Sequence, residues 1–216
     1  MACVTPVCKE MYSVKEIFYT LQGEGGNAGR AAVFCRFSGC NLWTGLEKHR
    51  QSAICQFCDT DFVGTDGLNG GKFKGATSLA EKISSIWEGR ENRLVVFTGG
   101  EPALQLDDEL ISAVHDEGFE IAVETNGTLA LPENIDWVCV SPKANTNLKV
   151  TRGNELKLVF PQANVDPNSF INLSFDHFFI QPLDNGFGKT DEAIKFVRNN
   201  SLWRLSLQSH KYIGIP

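Results

Sequence analysis

The chain has 216 residues, enough for one domain with a full hydrophobic core. Its apolar, aromatic and charged shares of 42%, 10% and 21% exclude disordered and fibrous classes. A formal charge of −6 argues against a nucleic-acid partner, and no apolar run approaches the ~20 residues that cross a bilayer.

The opening MACVTPVCKE has neither a basic nor an apolar signal region, so no signal peptide is expected and residues 1–11 read as a flexible extension. Short β-branched or aromatic runs predict strands at 14–20, 32–37, 94–98, 120–125, 136–140, 155–160, 177–181 and 203–207. Three helices are expected. Thr77 or Ser78 can cap 79–88, with Leu79, Ile83, Ile86 and Trp87 as its apolar stripe. A second covers 103–117 and stops before Gly118, with Asp107, Asp108 and Glu109 as a solvated first turn. The third, 191–199, is capped by Thr190 or Asp191 and turns Ile194 and Val197 inward. Alternating strands and helices suggest parallel β/α units, with room for long helices running out after residue 123. The expected fold is α/β, a single-domain barrel-like sheet with trimmed helices. Residues 41–76 form a long aperiodic stretch, and loops of that length are usually functional.

Seven of the eight expected strands run straight into polar or glycine-rich clusters: Leu21-Gln22-Gly23-Glu24-Gly25, Ser38-Gly39-Cys40-Asn41, Gly99-Gly100-Glu101-Pro102, Glu124-Thr125-Asn126-Gly127, Ser141-Pro142-Lys143, Gln181-Pro182-Leu183-Asp184 and Gln208-Ser209-His210-Lys211. Parallel strands would send all of these to one rim, where β/α barrels build active sites. That pattern predicts an enzyme.

Seven cysteines without an export signal favour metal ligation in a reducing, cytoplasmic compartment over a disulfide framework. Cys35 and Cys139 fall inside apolar runs and read as small core residues, and Cys3 and Cys8 receive no role. Cys40, Cys55 and Cys58 make C-x14-C-x2-C on the long loop. Thiolates suit iron–sulfur clusters and zinc alike, and His49 could complete a Cys3His zinc set, so spacing alone leaves both open. The polar rim argues for the cluster, because a structural zinc would not require it. Three thiolates leave one iron of a four-iron cluster open to an outside chelator.

Cys40…Cys55-Gln56-Phe57-Cys58 with Gly99-Gly100-Glu101-Pro102 resembles the radical S-adenosylmethionine superfamily, whose usual spacing is C-x3-C-x2-C. The departure is the spacer Asn41 to Ile54. Tyr19-Thr20-Leu21-Gln22-Gly23-Glu24-Gly25, Arg36-Phe37-Ser38-Gly39-Cys40-Asn41, Cys58-Asp59-Thr60, Glu124-Thr125-Asn126-Gly127, Ser141-Pro142-Lys143 and Gln208-Ser209-His210-Lys211 follow the order found in the 7-carboxy-7-deazaguanine synthase family, a subgroup of which has this longer spacing. The resemblance runs from about residue 12 to 216. It implies an incomplete TIM-like barrel of about six parallel strands and three helices.

The same resemblance implies a lyase-type radical enzyme of queuosine biosynthesis. It would convert 6-carboxy-5,6,7,8-tetrahydropterin to 7-carboxy-7-deazaguanine with loss of ammonia, after a 5′-deoxyadenosyl radical takes hydrogen from C6. Cys40, Cys55 and Cys58 would hold a [4Fe–4S] cluster and Thr60 a Mg2+ ion. Leu21, Gln22, Gly23, Arg36, Thr98 and His210 would hold the substrate, with Glu24 close by and the Pro216 carboxylate folding back onto it. Arg36 suits a carboxylate because its planar fork donates two parallel hydrogen bonds. Gly100, Ser141, Pro142, Lys143, Gln181, Pro182, Leu183 and Asp184 would hold S-adenosylmethionine, with Phe57 against its adenine. Glu101 would meet its ammonium, and Glu124 or Asn126 its ribose. A flavodoxin or ferredoxin donor and a homodimer are also implied, with no side chain serving as radical carrier. A glycyl-radical activase acting on a protein shares the cluster motif, and a non-catalytic zinc or iron–sulfur module is the remaining rival. Gln22, Glu24, Arg36 and His210 favour a small anionic heterocycle.

Overall fold

The computed structural model describes residues 10–183 and 189–216. In chain order these build β1 (Met11–Leu21), β2 (Ala31–Phe37), β3 (Gly71–Lys74), α1 (Ala76–Ile86), β4 (Leu94–Gly99), α2 (Asp108–Asp116), β5 (Glu120–Thr125), β6 (Trp137–Val140), β7 (Arg152–Phe160), β8 (Ser174–Pro182), α3 (Lys189–Asn199), β9 (Trp203–Leu205) and α4 (Ser209–Ile213). They form one sheet of order β3-β1-β2-β4-β5-β6-β7-β8-β9. Strands β2 and β4 to β8 run parallel, as expected, and the three-residue β9 continues the parallel run.

Strand β1 departs from expectation. It is antiparallel to β2, with Leu21 opposite Ala31, so its C-terminal end lies at the start of β2. The cluster 21–25 therefore does not share the rim of the other six. It crosses the gap between the two ends of the sheet instead. Gly25 N donates to Ser206 Oγ at 2.9 Å, Ser209 N donates to Gly23 O at 3.0 Å, and Gly26 N donates to Glu155 Oε2 at 2.7 Å. No ladder between β1 and β9 closes the barrel; the segment 22–27 and the tail 206–216 do.

The strands separate two faces by simple alternation. Val33, Cys35, Phe37, Val95, Phe97, Ile121 and Val123 face outward and pack with α1 and α2 through Leu79, Ile83, Leu110, Ile111 and Val114. Val140, Leu156, Leu158 and Ile180 do the same with α3 and Trp203. Inside, Ala32, Leu94, Val96 and Ala122 with Phe34 and Trp137 form a small apolar plug near the starts of the parallel strands. Above that plug the inward positions turn polar, and there the cavity begins.

Helix boundaries shift for local reasons. Helix α1 begins at Ala76 after Gly75, and the Ser78 hydroxyl donates to the carbonyls of Lys74 and Gly75 rather than capping. The expected helix 103–117 is split: Pro102–Leu104 is a 3-10 turn, and Asp107 starts α2 by accepting from Leu110 N at 2.9 Å. In α3 the buried residue is Ala193, with Phe196 and Val197 packed beside it, whereas Ile194 is exposed. Met11 belongs to β1 rather than to an extension. The stretch 41–76 contains a 3-10 turn at Glu47–Ser52, strand β3 and the first residue of α1, and residue 206 leaves β9 to bond Ile180 O. Among the described residues no helix is long and apolar enough to cross a membrane.

Candidate active site

The cysteine loop leaves β2 at the rim. Cys55 and Cys58 line a cavity of about 430 Å3, and Cys40 lies directly behind its wall. That volume suits a small molecule. All three thiols are free, and burial pushes those of Cys40 and Cys58 up. Gly100 passes over this loop so closely that a Cβ there would sit 2.1 Å from Gly39 O and 2.8 Å from Cys40 Cβ. The close approach explains why glycine follows β4, and Glu101 N then bonds Gly39 O at 2.9 Å.

The three thiols fit a four-iron cluster. They are soft donors in one loop, two of them open to the cavity, beside the half-buried side chain of Lys143. Burial lowers the pKa of Lys143, while Cys55 and Cys58 act in the opposite sense. Its Nζ donates to Ser141 O at 2.8 Å and Ser141 Oγ at 2.6 Å, and it stands 5.9 Å from the Phe57 ring centre. Among the described residues no three His, Cys, Asp or Glu side chains converge tightly enough for a single metal ion. His49 Nδ1 is paired with Thr44 Oγ1 at 2.9 Å.

At the rim, Glu101 is fully buried. Its carboxylate accepts from Thr125 Oγ1 at 2.6 Å, Asn126 N at 2.8 Å and Ala103 N at 2.9 Å. Burial raises its pKa and these three donors oppose the rise. Glu101 thus ties the end of β4 to the end of β5 from behind the cavity wall rather than lining it. Pro142 also stands behind the wall, its carbonyl taking Gln162 Nε2 at 3.1 Å. Gly100, Asn126, Ser141, Lys143, Phe57, Gln181, Pro182 and Leu183 do line the cavity, while Asp184 lies outside the described residues.

The floor is acidic, amide-rich and built from distant segments. Lys157 on β7 bonds the Glu24 carboxylate and lies 3.2 Å from Glu124 Oε1. Gln22 Nε2 donates to Glu124 Oε1 at 3.0 Å; Gln181 and Gln208 donate to Glu24 Oε1 at 3.2 and 2.8 Å. Glu124, one candidate for the ribose, therefore sits with Gln22 and Thr98, whose hydroxyl is 3.5 Å away. Burial alone would raise the Glu24 carboxyl, but the Lys157 ammonium outweighs it and holds it below the usual range. His210 packs over Gly23, where a Cβ would meet its Nδ1 at 2.2 Å. Thr20 Oγ1 donates to Pro216 O at 3.0 Å.

On the β1 side, Arg36 Nε bonds Glu16 Oε1 at 2.8 Å, so the guanidinium enters the cavity already held by a carboxylate. Thr60 lines the cavity between two engaged aspartates: Asp59 with Lys211 at 2.9 Å and Asp61 with Lys15 at 3.0 Å. Sequence reasoning missed Lys157 and Lys15 as site residues, and placed Gln208 in a rim cluster without assigning it a role. The available signal for Lys157 was a lysine inside the apolar strand Glu155-Leu156-Lys157-Leu158, with Glu155 on the same face.

Compared with known proteins, the chain matches no family model. It is 61% identical over 208 residues to the 7-carboxy-7-deazaguanine synthase of Bordetella pertussis, covering 95% of this chain and 99% of that one. The Caulobacter vibrioides protein of the same name is 58% identical over the same shares. Among solved structures, QueE from Escherichia coli superposes with a TM-score of 0.67 at 26% identity, covering 93% of this chain and 95% of that one.

Proposed function

Because the chain belongs to the 7-carboxy-7-deazaguanine synthase family, we infer that it is a radical S-adenosylmethionine lyase of queuosine biosynthesis. Its reaction converts 6-carboxy-5,6,7,8-tetrahydropterin to 7-carboxy-7-deazaguanine with loss of ammonia. The observation that carries this reading is one cavity with cysteines at its rim and a carboxylate–amide floor beneath them. When bound, the [4Fe–4S] cluster and S-adenosylmethionine supply the one-electron cleavage and the hydrogen abstraction at C6 that begin the ring contraction.

The protein's own groups bind, orient and exclude. Glu24 and Glu124 accept from the amino and ring N–H groups of a pterin, and the amides of Gln22, Gln181 and Gln208 hold those carboxylates in place. Arg36 and His210 meet the substrate carboxylate, and Thr98 and the backbone at Leu21 and Gly23 shape the slot. Ser141, Lys143, Gly100, Asn126 and residues 181–183 flank S-adenosylmethionine, with Phe57 against its adenine. Thr60 offers its hydroxyl to Mg2+. Because the neighbouring aspartates are held by lysines, Thr60 is the side chain of this turn that would hold the ion, whose charge would neutralise the substrate carboxylate. The segment 22–27 and the tail 206–216 exclude water from the floor. A low-potential flavodoxin or ferredoxin donor and a homodimer complete the reading.

The test is anaerobic incubation of the reduced, reconstituted protein with S-adenosylmethionine, Mg2+ and the carboxytetrahydropterin. The expected product is the carboxydeazaguanine, absent in Cys55→Ala. Formation of 5′-deoxyadenosine only with an added protein partner would instead favour the glycyl-radical activase.

A further inference from the structure

The spacer 41–54 is a closed detour. Leu42 O accepts the N–H of Ile54 at 3.1 Å and that of Cys55 at 3.4 Å, so residues 43–53 leave and return at one point. Ligation of three thiolates does not itself require that excursion. Its 3-10 turn Glu47–Ser52 carries Arg50 back over the cysteine turn. The two N–H bonds of Arg50 Nη1 reach Gln56 O and Cys58 O, each at 3.0 Å. Arg50 Nε contacts both Glu47 carboxylate oxygens at 2.8 Å. The guanidinium carbon stands 4.1 Å from the ring centre of Trp43, which is 7% exposed and packs edge-on against Phe62. The guanidinium is thus held by two carbonyls, a carboxylate and an indole face at once.

We propose that Arg50 is a positioning residue of the iron–sulfur site, fixing the carbonyls of the Cys55–Cys58 turn and holding a permanent positive charge behind it. The proposal rests on the reading that these cysteines hold a cluster. Two effects follow from the geometry. First, the turn keeps its ligand spacing while the metal is absent or exchanging, because its carbonyls are pinned from within the same loop. Second, a cation near the cluster favours its more negative, reduced state and so raises the midpoint potential. The counter-charge of Glu47 opposes this field but is 76% exposed against 27% for Arg50, so solvent weakens it more than it weakens the guanidinium.

The experiment uses full-length protein reconstituted anaerobically with iron and sulfide, with wild type, Arg50→Gln and Arg50→Lys side by side. Iron content, the rate of cluster bleaching by a chelator and the midpoint potential by EPR-monitored titration are measured. Arg50→Gln is expected to load a cluster but lose it about tenfold faster, in line with the loss of an outer partner at a metal site. Its midpoint should be more negative. Arg50→Lys keeps the charge without the fork, so its midpoint should match wild type while its loss rate follows Arg50→Gln. Wild-type loss rates and midpoints in both variants would overturn the proposal. If Arg50→Gln does not fold, Glu47→Gln replaces it: removal of an exposed anchor should speed bleaching about twofold and raise the midpoint. No change in either quantity overturns the proposal equally. Wild-type protein that takes up no iron would overturn the cluster reading itself, and this proposal with it.

Discussion

Lys157 Nζ stands 3.2 Å from Glu124 Oε1 inside the barrel and bonds Glu24 on its other side, with only 5% of its side chain exposed. One buried cation thus separates two carboxylates contributed by segments 100 residues apart. Without it, the floor would hold two carboxylates with no cation between them.

Lys157→Met keeps the stem and removes the charge. Breaking a buried pair from one side costs about 3–5 kcal/mol, so the melting temperature should fall by roughly 10 °C in calorimetry. Lys157→Met with Glu24→Gln should recover part of that loss, because one uncompensated charge disappears with its partner.

The same pair shapes pH dependence. Lys157, which burial alone would lower, is held well above its ordinary 10.5 by Glu124 and Glu24. Its contribution is complete below 10.5 and is lost as pH rises through the native value. Glu24 is held below its ordinary 4.5, so its contribution is complete above 4.5 and is lost as pH falls through the native value. Denaturant midpoints should therefore show a plateau from this pair across the neutral range. Lys157→Met should flatten both limbs.

Glu101→Gln retains shape but presents an amide where the carboxylate accepts from Asn126 N, Ala103 N and Thr125 Oγ1. At least one buried donor loses its acceptor, at a cost of about 1–3 kcal/mol. Because Glu101 joins the ends of β4 and β5, calorimetry should show the loss even in protein without cofactors. An unchanged melting temperature would contradict its role as a tie.

Gly100→Ala places a methyl group against Gly39 O and Cys40 Cβ, and the obstacle is backbone rather than a movable side-chain tip. The loop carrying Cys40 must shift. Iron content after reconstitution should drop severalfold while the circular dichroism of the sheet stays unchanged.

The strand ends were legible because β-branched or aromatic runs such as Leu94-Val95-Val96-Phe97 stop abruptly at glycine or polar residues. The direction of β1 was not, since alternation of side chains reads the same whichever way a strand runs. The rim residues were found by position after strands. Lys157 escaped that rule because it lies midway along β7, and only its charge among apolar neighbours marked it. Arg36 was legible as a cavity residue, but its pairing with Glu16 depends on an antiparallel register that hydrophobic patterning does not encode. The spacer resolves more simply. Removing the detour 43–53 leaves Asn41, Leu42 and Ile54 between Cys40 and Cys55, three residues in place of 14. The unusual spacing is the ordinary one with a loop inserted.

The seam between residues 22–27 and 206–216 also sets an order of assembly. Its bonds join positions 181 to 186 apart in sequence, among the longest closures the chain makes. The cysteine turn, by contrast, is complete within residues 40–58. During synthesis the cysteine loop emerges with three-quarters of the chain still to come, whereas the cavity floor cannot form until the last strand has emerged. An unfinished chain therefore has its cysteine turn and no enclosed cavity beside it.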